Sequence, residues 1–117
     1  ADSFEDYLVI AETIKNAEVE NNLAIAVCPS SSSNTVIVAR AADELLNISG
    51  IDVCFVLSES NGSVAISGRS VGDINVQVVL EEIGGGGHMN MAGAKLNMPM
   101  AEALSLLKES IARNIKE

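Results

Sequence analysis

Four consecutive glycines, Gly84 to Gly87, run straight into the only histidine of the chain, His88, and Ala92 and Gly93 follow closely behind. A run of that density frees several backbone N–H groups from any neighbouring Cβ, so they can turn together onto an anion as no other residue type allows. That outlines a phosphate cradle. His88 adds a side-chain donor for a phosphoryl oxygen, with a charge that changes near neutral pH. Two plainer readings compete. Gly84 follows an apolar, glutamate-bearing stretch of helical character, so it serves equally as the left-handed residue that ends a helix. A flexible linker would also be glycine-rich, but linkers are usually diluted with serine, and here the chain resumes at once in Met91-Ala92-Gly93-Ala94-Lys95-Leu96.

Helix and strand patterns alternate along the rest of the chain. Ser3 with Asp6 resembles a capping box, and Phe4, Leu8, Ala11 and Ile14 recur at helical spacing, which predicts a first helix over roughly residues 4–19. Leu23 to Cys28 is a short apolar strand stopped by Pro29 and Ser30 to Ser33, and Val36 to Leu46 reads as a second helix capped by Ser33 or Asn34. Ile51 to Leu57 and Ser63 to Ser67 form two more strands. Asn61-Gly62 between them is the preferred pair for a tight hairpin, so these two are expected to be antiparallel. The strand–helix–strand unit from Leu23 to Leu57 is instead a crossover, parallel and right-handed. A third helix is expected over Asn75 to Ile83, a further strand over Ala92 to Asn97, and a last helix from Pro99 with Met100, Leu104, Leu107, Ile111 and Ile115 on one face. The expected architecture is a single α/β domain over 1–117, with a mixed sheet of four or five strands and helices on both faces.

Composition narrows what such a domain does. A chain of 117 residues holds one real core, and with 48% hydrophobic but only 3% aromatic residues that core is aliphatic. No run of about 18 apolar residues is present to span a bilayer, and the opening at Ala1 is helix-like rather than signal-like, so the chain reads as a piece of a longer protein. Cys28 and Cys54 lie 26 residues apart in apolar stretches without a C-x-x-C partner or companion histidine. They read as packed, reduced thiols in a cytoplasmic domain rather than as zinc ligands. The net charge of −9 supplies no basic track for a long DNA or RNA. A short ligand with two phosphates needs only local donors and stays compatible.

Three further features carry weaker signals. Arg69, between Gly68 and Ser70 at the expected end of a strand, can fork onto a phosphate, or pair with a surface carboxylate. Ser30 to Ser33 precede a helix and could contact a second phosphate, but an N-capped loop explains them more simply. Lys95 reads as a solvated side chain on a strand face.

Gly85-Gly86-Gly87-His88-Met89-Asn90-Met91-Ala92-Gly93 resembles the GGGHxxAAG signature of the DHH-associated domain, subfamily one, the substrate-binding half of DHH-type phosphoesterases. Met91 stands where the signature has its first alanine. Ile66-Ser67-Gly68-Arg69-Ser70 and Asp73-Ile74-Asn75-Val76-Gln77 resemble the segments that precede the signature, so the likeness covers roughly residues 50–98. Gly84 and the Ile74 to Gln77 string are most similar to the membrane-anchored phosphodiesterases of cyclic di-AMP. The resemblance implies a substrate-binding module with Gly85, Gly86, Gly87, His88, Arg69, Ala92 and Gly93 around a cyclic or linear dinucleotide. It implies that manganese or another divalent metal sits on a DHH catalytic domain of the same protein, outside these residues. Asp2, Asp6, Asp43, Asp52 and Asp73 are scattered here without a D-x-D or D-H-H grouping, so the module alone is expected to be non-catalytic. It would work in the cytoplasm without touching the membrane itself. Two other classes stay open. One is a nucleic-acid-binding module, as in RecJ-like exonucleases, oligoribonucleases and the C-terminal domain of alanyl-tRNA synthetases. The other is a structural or homodimerising domain in which the glycines merely pack.

Overall fold

The computed structural model describes residues 3–29 and 34–115. The expectation of a phosphate contact at Ser30 to Ser33 lies outside the described residues. Helix α1 (Phe4–Lys15) starts from the expected capping box: the Ser3 hydroxyl accepts from the Asp6 amide at 3.1 Å and the Asp6 carboxylate accepts from the Ser3 amide. It ends four residues before the predicted limit of 19, because Asn16 caps it and Glu18–Glu20 form a short strand, β1. Asn21 turns the chain at φ 56°, and β1 folds back on β2 (Leu23–Val27), pairing Glu20 with Leu23.

From β2 the chain crosses over through α2 (Thr35–Leu46) to β3 (Val53–Ser60), and β2 and β3 pair in parallel as expected. Asn34 supplies the cap of α2, its side chain accepting from the Ile37 amide at 2.9 Å. Asn61 and Gly62 both take positive φ, 53° and 80°, and close the hairpin between β3 and β4 (Ser63–Ser70) with Ser60 opposite Ser63. This is the conformation that matches the natural twist of a two-residue hairpin. The chain continues through α3 (Val76–Glu82), β5 (Gly86–His88), β6 (Met91–Leu96) and α4 (Met100–Asn114).

The mixed sheet has six strands in the order β1-β2-β3-β4-β6-β5 rather than four or five. The two strands not anticipated, β1 and β5, have three residues each and sit at the two edges. Side chains of β3 alternate between two cores. Val53, Phe55 and Leu57 face α3 and α4, joined by Val79, Leu80, Ala103 and Leu107. Cys54 and Val56 face α2, against Ala41, Ala42 and Leu45. Leu104, Ile111 and Ile115 pack on the first of these cores, so the predicted apolar stripe of α4 is the face that it buries.

Candidate functional site

Three of the four glycines have a local structural reason. Gly84 takes φ 102° after the last turn of α3, its amide donating to the Glu81 carbonyl at 3.1 Å, and the Gly85 amide donates to the Leu80 carbonyl at 2.7 Å. This pair of bonds is the Schellman helix ending, so both amides are occupied by α3 rather than turned on a ligand. A Cβ at Gly85 would run into the Gly93 carbonyl oxygen and stand 2.6 Å from the Ala94 Cβ. At Gly87, φ is 144° and a Cβ would stand 2.6 Å from the Ala92 Cα. Gly86 differs from all three. Its φ is ordinary, and a Cβ there would meet nothing within 4 Å.

The register of the sheet shows what surrounds Gly86. Gly86 pairs with Gly93, Gly93 with Ser67, and Ser67 with Val56, so these residues form one row across four strands and share one face. The neighbouring row is His88, Met91, Arg69 and Cys54, and beyond the glycines lies a third row, Lys95, Ala65 and Ser58. All point to the face that carries α2. That helix packs on β3 and β4, whereas β5 and β6 are backed by α3 on the opposite face. Among the described residues nothing covers the outer part of the sheet: His88, Met91 and Lys95 are exposed, and Gly86 and Gly93 are half-buried. Small residues leave a smooth strip there. It opens at the N-terminal end of α2 into a cavity of about 660 Å³, lined by Thr35, Ser58, Ser67, Gly93 and Lys95 among others.

Five of the seven residues singled out in the sequence meet at this strip or its edge: Gly86, His88, Gly93 and Arg69 on the face itself, and Gly87 between Gly86 and His88. Ala92 does not join them. Its side chain is on the other face, 5% exposed within the core beneath α3. Gly85 closes the helix end. Arg69 does not stand past the end of its strand, because β4 runs on through Ser70. Its guanidinium is enclosed, with Nε donating to Asp43 Oδ1 at 2.9 Å and Nη1 to the Gly68 carbonyl at 3.0 Å. His88 stands two strands away from Arg69, ~10 Å at the usual strand spacing.

Asn90 was not singled out, although it fixes the strip. The Met89-Asn90 turn joins β5 to β6, and the Asn90 amide group donates to the Ser70 hydroxyl at 2.9 Å and to the carbonyls of Gly72 and Ile74. The Val76 amide donates to the Met89 carbonyl at 2.8 Å. The hairpin is thus tied to the start of α3 at one end and to its C-terminus at the other. A turn-forming asparagine is a sequence signal, but its partners lie 16 to 20 residues away.

Neither thiol belongs to reactive chemistry. The Cys54 thiol donates to the Ala42 carbonyl at 3.2 Å, and burial pushes it up to about 12 despite the opposing charge of Arg69. Cys28 is raised as well, by burial. Among the described residues no three His, Cys, Asp or Glu side chains come together as a metal site. No helix among them is long and apolar enough to cross a membrane.

The DHHA1 domain family matches residues 20–117 of the chain. The cyclic-di-AMP phosphodiesterase GdpP of Geobacillus thermodenitrificans is 40% identical over 114 residues, which is 94% of this chain but 17% of that protein. The chain thus spans about a sixth of the length of that relative. Among solved structures, an exopolyphosphatase-related protein from Bacteroides fragilis overlays with a TM-score of 0.84 at 20% identity, over 97% of this chain and 36% of that one. RecJ of Thermus thermophilus in complex with Mn2+ overlays with a TM-score of 0.67 at 17% identity, over 93% of this chain and 16% of that one. At these identities the structural likeness is one of fold.

Proposed function

The chain belongs to the DHHA1 domain family, and on that premise we propose that it grips a dinucleotide of the cyclic di-AMP kind for a phosphodiesterase whose catalytic DHH domain lies elsewhere in the protein. The observation that carries this reading is Gly86. The fold needs the other three glycines of the run, but it leaves room for a side chain at Gly86, and Gly93 and Ser67 continue the same smooth row. A ligand lying on the strip is a reason for that row to stay small. His88 stands over its edge and donates to a phosphoryl oxygen. Arg69 keeps positive charge at the inner end while Asp43 holds its orientation. Donors placed in this way bind and orient a substrate, which is worth several kcal/mol of a reaction barrier without any bond-making group in the module.

A divalent metal, manganese among the candidates, would supply the hydrolytic chemistry from the DHH domain. The parent protein would then be a metal-dependent hydrolase, with this domain on the cytoplasmic side of any membrane anchor. The test uses the whole phosphodiesterase and measures kcat/KM on cyclic di-AMP beside a thermal melt. His88→Ala is expected to lower kcat/KM roughly ten- to hundred-fold through loss of a charge-assisted bond, and Gly86→Val at least as much by filling the strip. Neither is expected to move the melt. Unchanged kcat/KM for both variants would mean that the strip binds nothing in the reaction.

A further inference from the structure

Helices cover the α3–α4 face of the sheet unevenly. A helix is about 10 Å across and strands lie about 4.8 Å apart, so one helix covers roughly two strands and six strands leave room for about three on a face. On the face that carries Val53, Phe55 and Leu57, α3 lies on β4, β5 and β6, and α4 lies on α3 and β3. Among the described residues no third helix lies over β1 and β2 there. The place left is a groove of about 630 Å³ between α4 and the β1–β2 ribbon. It is at the opposite edge of the sheet from the glycine strip, and on the opposite face.

The floor of this groove is apolar and its two rims carry opposite charge. Leu23 and Ile25 of β2 and Ile111, Ala112 and Ile115 of α4 make the floor. Register sets Glu18 beside Ile25 and Glu20 beside Leu23, so both carboxylates stand on the groove side of β1, and both are exposed. Lys108 is exposed on the α4 rim. Among the described residues none of these three charges is in an ion pair.

Strand β1 argues against two kinds of occupant. An antiparallel edge strand turns its N–H and C=O outward only at every second residue, so three-residue β1 gives an added strand too few bonds. A second copy paired along this edge would set Glu18 and Glu20 against the same carboxylates of its twin, which is destabilising. A helix has the width of the vacant place. Basic residues four apart on a helix are ~6 Å apart along its axis, against ~7 Å between Glu18 and Glu20. We propose that the groove docks a helix of another protein, with an apolar stripe on the floor, two basic residues one turn apart toward β1 and an acidic residue toward Lys108. The catalytic DHH domain of the reading above has to face the strip, so the groove points away from it and is open to a separate protein. The source of the helix, though not the groove, rests on that reading.

The test titrates the isotopically labelled chain with a synthetic helical peptide and follows the amide resonances. The peptide carries a leucine stripe, two lysines four residues apart on one flank and a glutamate on the other; in a control peptide glutamates replace the lysines. The lysine peptide is expected to shift the amides of Leu23, Ile25, Ile111 and Ala112, and the control to bind roughly ten-fold more weakly. Glu20→Lys should weaken the lysine peptide about ten-fold and strengthen the control. Glu44→Lys changes the net charge equally but lies on α2, across the sheet, and should alter neither. Groove amides that stay in place, equal binding of the two peptides, or equal losses in Glu20→Lys and Glu44→Lys would each overturn the docking groove. His88→Ala, which tests the dinucleotide reading, is expected to leave peptide binding unchanged; binding lost in that variant would put the peptide on the strip instead. The whole phosphodiesterase is expected to bind the lysine peptide as the chain does. Binding to the chain but not to the whole protein would mean that the parent protein fills its own groove, and would overturn a separate partner.

Discussion

Strand β3 and the β5–β6 hairpin belong to one sheet and present the same face, yet opposite kinds of residue build them. In β3, Val53 to Leu57 are all buried, because α2 covers one face and α3 and α4 the other. In the hairpin the side that carries Ala92 and Leu96 is covered, by α3, and among the described residues the other side is left with Gly86, Gly93 and three exposed side chains, His88, Met91 and Lys95. Where helices close both faces, residues are chosen for volume. Where one face stays bare, packing places no demand on it, and the small residues there need another reason. The two regions therefore answer to different measurements, one to stability and the other to binding.

The largest effect is expected in the covered region. Phe55 is wholly buried against Gly68, where an added Cβ would stand 3.0 Å from its ring. Phe55→Ala should cost about 3–5 kcal/mol, lowering the melting temperature by roughly 10–20 °C. A shift of only a few degrees in calorimetry would break the claim that this half lives on packing. The next effect sharpens the contrast inside the hairpin itself. Gly87→Val forces a side chain into φ 144° and onto Ala92, at about 1–3 kcal/mol. Gly86→Val, its neighbour, should stay within about 0.5 kcal/mol of the parent chain. Equal losses in parallel melts would erase the distinction between the structural glycines and the free one.

The smallest effect at neutral pH belongs to the thiol beneath the strip's inner end. Burial pushes the Cys54 thiol up to about 12, from an ordinary thiol value of 9.0. Between those values the unfolded chain releases a proton that the folded chain keeps, so this contribution to stability is fully present below about pH 9 and is lost as pH climbs toward 12. Cys28, also raised, acts in the same direction. Denaturant melts from pH 7 to 11 should show an alkaline decline that Cys54→Ala reduces. A decline of the same steepness in Cys54→Ala would exclude this thiol as its source.

Several parts of this molecule were legible in the chain because their causes are local. The capping box of α1, the Asn61-Gly62 turn, the glycine ending of α3 and the apolar stripe of α4 each depend on residues within a few positions of one another. β1 and β5 were not legible. Glu18-Val19-Glu20 is too short to display a period, and it read as the tail of α1. Gly86-Gly87-His88 has no strand propensity at all, and its extended form comes from pairing with β6. The site divides along the same line. His88 and the glycines stood out by composition, but the partner of Arg69 is 26 residues away, and those of Asn90 are 16 to 20 away.

The sequence by itself determined the family, the α/β alternation, the parallel crossover, the hairpin and the place of the glycine run, since short-range propensity and turn chemistry act on neighbouring residues. Only the tertiary structure decided which face each residue shares. Register across β3, β4, β6 and β5 set Ser58, Ser67, Gly93, Gly86 and His88 on one surface and turned Ala92 to the other. The side-chain period of a strand is two, so a slip of one residue in any pairing would exchange the two faces. That choice rests on hydrogen bonds and burial summed over the whole sheet.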